Sequence, residues 1–298
     1  MTTISPVAIN GFENAEYFDV ASEAVADSFR IFVSKPAFAD PEISLPAIIV
    51  LDANMMFGTA RETVGALSMS GDVPAHFVIG IGYKELSSAF TRRASDFTPD
   101  SGGEIEAATA MGPPNFGGAA NFARFIREEL LPLVANLYPI DTDCITLAGT
   151  SFGGLFTLWS LLTQEVVVSN YIAISPSIWW DNEAVWDWEA ELAATATDVK
   201  AKVFITAGGL ETQAENKASV DKMIAGDGPL KAHAVKMKAA YDLHGWPRMS
   251  EITPEVTEKL RSRGYPGLNI RCNNLPDETH MSIPSAGFSR GIRYLFGD

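Results

Sequence analysis

The chain has 298 residues, 47% hydrophobic and 20% charged, the proportions of an ordinary globular protein, and that length fits one α/β domain built on a single core. Its 37 acidic against 22 basic residues leave a formal net charge of −15; with no basic run to offset it, nucleic acid is excluded as a partner. No stretch joins a basic end to the apolar core of a signal peptide and no apolar run reaches membrane-spanning length, so the expectation is a cytoplasmic protein with no membrane partner.

In chain order, Tyr17, Phe18, Val20, Phe29, Ile31 and Val33 alternate with polar residues, which predicts an antiparallel hairpin at a sheet edge. Residues 46–51 and 77–81 are unbroken apolar runs suited to central strands buried on both faces, with a short helix predicted over 63–69 between them. The stretch 91–118 is rich in glycine and proline and reads as a long loop. Helical periodicity returns over 121–138, and the runs 144–148, 171–175 and 203–207 predict three more strands. Strands alternating with helices imply a mostly parallel sheet covered on both faces. Beyond residue 207 the chain is helical and polar, broken at 226–229 and 245–247. A further helix is expected from Thr253 as N-cap and Pro254 at its first position to near Gly264, before a last strand through Leu268, Ile270 and Cys272. The expected organisation is a single domain over residues 1–298, with a helical insertion at about 212–250. Cys144 and Cys272 lie in strands without metal-ligand spacing and read as small core residues.

Gly149-Thr150-Ser151-Phe152-Gly153-Gly154 falls where a strand meets a helix. A Gly-x-Ser-x-Gly sequence in that context is a nucleophile elbow, a strained turn that lifts the serine hydroxyl above the sheet. A serine hydroxyl needs a base within hydrogen-bond reach. Of four histidines, His76 precedes a buried strand and His233 and His244 fall in the helical insertion, whereas His280 follows the last strand, where an α/β hydrolase places its base. The acid should follow the strand 203–207; Glu211 is the first carboxylate there and Glu215 the second. The oxyanion donors are assigned by position: the N–H of Phe152 and that of Ala53 or Asn54. Arg92 and Arg93 are read either as a positive cluster for an anionic substrate or as a structural pair with Asp96. Of Trp179 and Trp180, one is expected to face the site and one the core.

Leu51-Asp52-Ala53-Asn54, Gly80-Ile81-Gly82-Tyr83, the run from Arg92 to Pro99, the elbow, Ser175-Pro176-Ser177-Ile178-Trp179-Trp180-Asp181 and Glu278-Thr279-His280 occur in that order. Together they resemble the putative-esterase family of α/β hydrolases, which contains bacterial siderophore esterases related to the enterobactin and salmochelin hydrolases. The resemblance spans residue 17 to the C-terminus. It implies an α/β-hydrolase fold and hydrolysis of carboxylic esters of a small molecule, in some members of ferric siderophores, with neither metal nor organic cofactor. It matches Ser151 and His280 to the nucleophile and base, with Glu211 as third member, although some relatives use a serine and histidine pair. The chain departs from the pattern at Thr150, where relatives often carry histidine, at Ala53, where glycine is usual, and in a longer 212–250 region. An acyltransferase on the same fold and a non-catalytic binding module are the competing classes.

Overall fold

The computed structural model describes residues 4–37, 40, 42–100 and 116–297. The N-terminal strands β1 (Val7–Ala8), β2 (Ala15–Ser22) and β3 (Asp27–Ser34) form an antiparallel edge, as the alternation predicts for the 17–34 hairpin. The unbroken apolar runs become β4 (Leu45–Val50), β5 (Phe77–Gly82), β6 (Ile140–Thr150), β7 (Asn170–Ile174) and β8 (Ala201–Thr206), and β9 (Leu268–Cys272) closes the far edge. Among the described residues the sheet runs β1-β2-β3-β5-β4-β6-β7-β8-β9, parallel from β5 onward.

Each central strand is buried on both faces, so consecutive residues feed two different cores. Ile48 and Val50 join Val78, Ile172, Ile174 and Phe204 under α1 (Ala53–Met69) and the C-terminal helix 283–296. Ile49, Ile79, Leu147, Tyr171, Val203 and Ile205 point the other way, under helices that include the one following the elbow. Alternation within an apolar run thus sandwiches the sheet between helical layers, and every parallel strand ends on one edge, where the βα loops gather.

Several local expectations are corrected. The helix placed at 63–69 begins instead at Ala53; Gly58, Thr59 and Gly65 mask the periodic signal of its apolar face, which Phe57, Ala60 and Val64 form. The first part of the 91–118 loop is helix α2 (Leu86–Asp96), which buries only Ala89 and Asp96 and so lacks a readable apolar stripe; residues 101–115 lie outside the described residues. The 121–138 helix is a run of α3 (Ala119–Arg124), a π-helical segment Phe125–Leu130 and α4 (Leu131–Leu137). After β6 come α5 (Phe152–Thr163), α6 (Trp180–Glu183) and α7 (Val185–Thr195), and the insertion forms α8 (Gln213–Ala225) and α9 (Lys231–His244). The next helix, α10 (Met249–Ser262), starts one turn before its expected cap, placing Pro254 inside it. Proline cannot donate to the Ser250 carbonyl four residues back, and the Asn274 side-chain amide donates there instead at 2.8 Å. Cys144 and Cys272 are unpaired thiols but partly exposed, so the core role expected of them is also corrected: Cys144 lies within β6 and Cys272 ends edge strand β9. The last helix is α11 (Ile283–Phe296). Among the described residues, no helix is long and apolar enough to cross a membrane.

Candidate active site

The elbow joins β6 to α5 at the C-terminal edge of the sheet. Ser151 adopts φ 60° and ψ −120°, a conformation that costs a side-chain-bearing residue about 1–3 kcal/mol. The turn is pinned by its own hydrogen bonds: Ser151 N–H donates to the Ile174 carbonyl at 3.0 Å, and the Ser151 carbonyl accepts from Ser177 N–H at 3.1 Å. Its glycines follow from close approach. A Cβ on Gly149 would collide with the Gly153 carbonyl, and one on Gly154 would stand 2.8 Å from the Ile174 oxygen.

Two further loops converge on the serine. The turn after β8 lies against the turn after β9, with Gly209 N–H donating to Leu275 O at 2.7 Å and Leu210 N–H to Glu278 O at 3.1 Å. A Cβ on Gly208 or Gly209 would overlap the backbone of Glu278 or Pro276. Their contact brings Glu211 under His280: Nδ1 of His280 is 2.6 Å from Glu211 Oε2, and Nε2 is 3.1 Å from Ser151 Oγ. The Glu211 carboxylate is 1% exposed and also accepts from Gly208 N–H at 2.8 Å and from the Ser175 hydroxyl. Three donors compensate its removal from water, as a buried carboxylate requires. Glu215 is exposed in the first turn of α8, away from this chain of bonds.

Sequence reasoning missed Ser175 and Ser177 as individual residues. Ser175, fully buried at φ 39°, holds Glu211, and Ser177 Oγ lies 3.4 Å from Ser151 Oγ. The Ser-Pro-Ser motif was the available signal, but the carboxylate it serves is 36 residues away.

The residues assigned to the oxyanion hole begin two helices. Phe152 is the first residue of α5, and Ala53 and Asn54 are the first two of α1, so their N–H groups lack intrahelical acceptors. The Asn54 side chain is held by Tyr83, donating to its carbonyl at 2.8 Å and accepting from its N–H at 2.7 Å, which fixes the start of α1 against the end of β5.

The reading of Arg92 and Arg93 as free substrate-binding charges is corrected. Both lie on α2, and neither pairs with Asp96. Arg93 forms a bidentate bridge to buried Asp52 at 2.8 and 2.9 Å, and also donates to Thr150 O at 3.4 Å. It therefore ties the α1 entry to the elbow, and losing it would leave a buried carboxylate unpaired, a defect worth about 3–5 kcal/mol. Arg92 bridges to Asp27 at 3.0 Å and stacks on Phe29 and Tyr83.

Asp96 instead accepts from the buried Tyr83 hydroxyl at 3.0 Å. Burial pushes its carboxyl up to about 7, against the Tyr83 hydrogen bond and the nearby Arg92 charge. Because this lies above the ordinary carboxylate range, the native protein keeps a proton that the unfolded chain releases. This contribution to stability is fully present below about pH 4 and is lost as pH rises towards 7. Thermal melts of Asp96→Asn should therefore show a stability gain over wild type that grows between pH 5 and 8, on the order of 2–4 kcal/mol at most. A pH-independent difference between the two proteins would contradict this.

Trp180 is 1% exposed and packs on Phe152 and Phe116, so its assignment as a substrate contact is corrected to a core role. Trp179 is partly exposed, 6.1 Å from the Phe152 ring on one side and 6.2 Å from Tyr241 of α9 on the other, so the insertion packs onto the aromatic wall beside the serine. A small cleft next to the α1 entry is lined by Asn54, Met55, Leu86, Ala89, Phe90 and Arg93. Met55, Leu86 and Phe90 are exposed there, as are Leu210 beside Glu211 and Met281 beside His280, giving the surroundings an apolar character. No group of carboxylate, histidine and cysteine side chains that could hold a metal occurs among the described residues.

A mostly parallel sheet sandwiched by helices, with a serine elbow at its C-terminal edge and an imidazole in reach of it, defines an α/β hydrolase. The chain belongs to the putative-esterase family, whose model matches residues 22–247. It is 30% identical over 273 residues to the ferri-bacillibactin esterase BesA of Bacillus subtilis, covering 90% of this chain and 84% of the relative. It is 37% identical over 273 residues to a siderophore enterobactin esterase of Emericella nidulans, covering 85% and 82%. Among solved structures, the siderophore hydrolase EstA from Aspergillus nidulans superposes with a TM-score of 0.78 at 25% identity, covering 98% of this chain and 97% of that one. The BES protein from Bacillus cereus gives 0.73 at 28%, covering 98% and 99%. The protein is a serine hydrolase of carboxylic esters.

Proposed function

We propose that Ser151, His280 and Glu211 form the catalytic triad of an esterase that opens the ester bonds of a siderophore through an acyl-enzyme. The observation that carries this reading is the continuous hydrogen-bond chain from Ser151 Oγ through the His280 ring to the buried Glu211 carboxylate. His280 Nε2 takes the hydroxyl proton as Oγ bonds to the ester carbonyl carbon. Glu211 holds Nδ1–H and stabilises the imidazolium. The tetrahedral oxyanion is received by the N–H of Phe152 and of Ala53 or Asn54, donors fixed before the substrate arrives. The imidazolium then protonates the leaving alkoxide, and water, deprotonated by the same imidazole, hydrolyses the acyl-enzyme. The elements supplying these groups sit on one continuous sheet, which supports a single α/β-hydrolase domain with the 212–250 insertion as part of its site wall.

The siderophore assignment rests on the relatives named for bacillibactin and enterobactin, together with the apolar surroundings of the site. The paired Arg92 and Arg93 lend it no electrostatic support. The test is a hydrolysis screen of ferric trilactone siderophores beside simple aryl esters of graded chain length, with Ser151→Ala as control. Serine-dependent cleavage of the siderophore with kcat/KM above that of every aryl ester is expected. Preference for a simple ester would sink the siderophore reading while leaving the esterase intact.

A further inference from the structure

We infer that a cleft beside the C-terminal helix, built from Arg271, Arg290 and Arg293, is a second site that binds a compact oxyanion of two or more charges, phosphoryl or polycarboxylate. It shares no lining residue with the serine site, and its volume is about 400 Å³. The chain has twelve arginines, and among the described residues eight stand within salt-bridge distance of a carboxylate. The other four are Arg124, Arg271, Arg290 and Arg293, and the last three line this one cleft. In a protein of net charge −15, carboxylates to pair them are abundant, so three guanidinium groups held together with no salt-bridge partner among the described residues are conspicuous. Their mutual repulsion is an unfavourable term that a bound anion relieves.

The local structure fixes the groups. Arg290 and Arg293 are three residues apart on α11 and share one face of it. Arg271, on edge strand β9, lies 4.5 Å from the centre of the Tyr294 ring, and Lys202 approaches the same ring at 5.2 Å while its ammonium donates to Leu295 O at 2.7 Å. Stacking limits the rotamers of Arg271 before any ligand arrives. Among the described residues the one carboxylate of the lining is Asp72, and it accepts from the Ser70 hydroxyl at 3.1 Å. Guanidinium forks from a strand and a helix, converging on a polar cleft, match the paired oxygens of phosphate or carboxylate groups.

Calorimetric titration of the intact chain with pyrophosphate, with citrate and with chloride at matched ionic strength tests the site. Saturable binding of one equivalent of pyrophosphate or citrate is expected, and which of the two binds tighter separates a phosphoryl ligand from a polycarboxylate. The Arg290→Gln/Arg293→Gln variant should weaken it at least about tenfold. Arg271→Lys, which keeps the charge but loses the fork, should weaken it too. Turnover of a neutral aryl ester should be unchanged in both variants. A response to both polyanions no different from that to chloride, or binding undiminished in the double variant, would overturn the inference.

Discussion

Replacing Ser151 by alanine is expected to lower ester turnover by about 10⁴–10⁶ in kcat, and His280→Ala by a similar factor, because nucleophile and base act as one unit. The expected loss comes from geometry: Nε2 of His280 stands 3.1 Å from Oγ, and neither group activates an ester without the other. What survives is the contribution of the oxyanion donors and of substrate binding. Ser151→Ala keeps a side-chain carbon at φ 60° and so retains the backbone strain of the elbow; its melting temperature should stay close to that of wild type. Single-turnover kinetics on an aryl ester, and mass spectrometry after fluorophosphonate treatment, give the two readouts. Wild-type turnover in either variant, or stoichiometric labelling at another serine, would reject the mechanism.

Glu211→Gln should lower kcat by roughly 10²–10⁴ with little change in KM. Glutamine preserves size and can still accept from Gly208 N–H and Ser175 through its carbonyl oxygen, which then places its amide N–H₂ against His280 Nδ1. Two donors cannot face each other, so the imidazole turns to the tautomer with its proton on Nε2 and no longer accepts from Ser151. The defect falls on the transition state and spares ground-state binding. Ser175→Ala removes one of the donors that hold the carboxylate and should give a smaller fall in kcat of the same kind. An unimpaired Glu211→Gln enzyme would leave a serine and histidine pair as the working machinery, and impairment of Glu215→Gln in its place would move the acid.

The central strands were legible because burial on both faces demands an apolar residue at every position, a short-range requirement that composition alone reveals. The elbow was legible because its glycines answer steric demands that almost no other residue meets. The order of serine, acid and histidine along the chain, with one histidine after the last strand, narrowed the choice to Ser151, His280 and either Glu211 or Glu215, of which the fold brings Glu211 into hydrogen-bond contact with His280. Helix α2 was read as loop because its packing buries only two residues, and the start of α1 was missed because it opens on a left-handed Asp52 whose stabilising partner is 41 residues away.

What the sequence by itself determined is therefore the set of local necessities: which segments must be buried, where the chain must turn tightly, and which few side chains have the chemistry for acyl transfer. Tertiary structure alone decided the pairings. Arg93 meets Asp52 and not its near neighbour Asp96, Arg92 meets Asp27, and Ser175 meets Glu211, because β3, β4 and β5 lie side by side out of chain order and β7 abuts β8. Helical and strand periodicity report only on neighbours a few residues apart, whereas which charge neutralises which is set by strand order and loop approach over 36 to 65 residues.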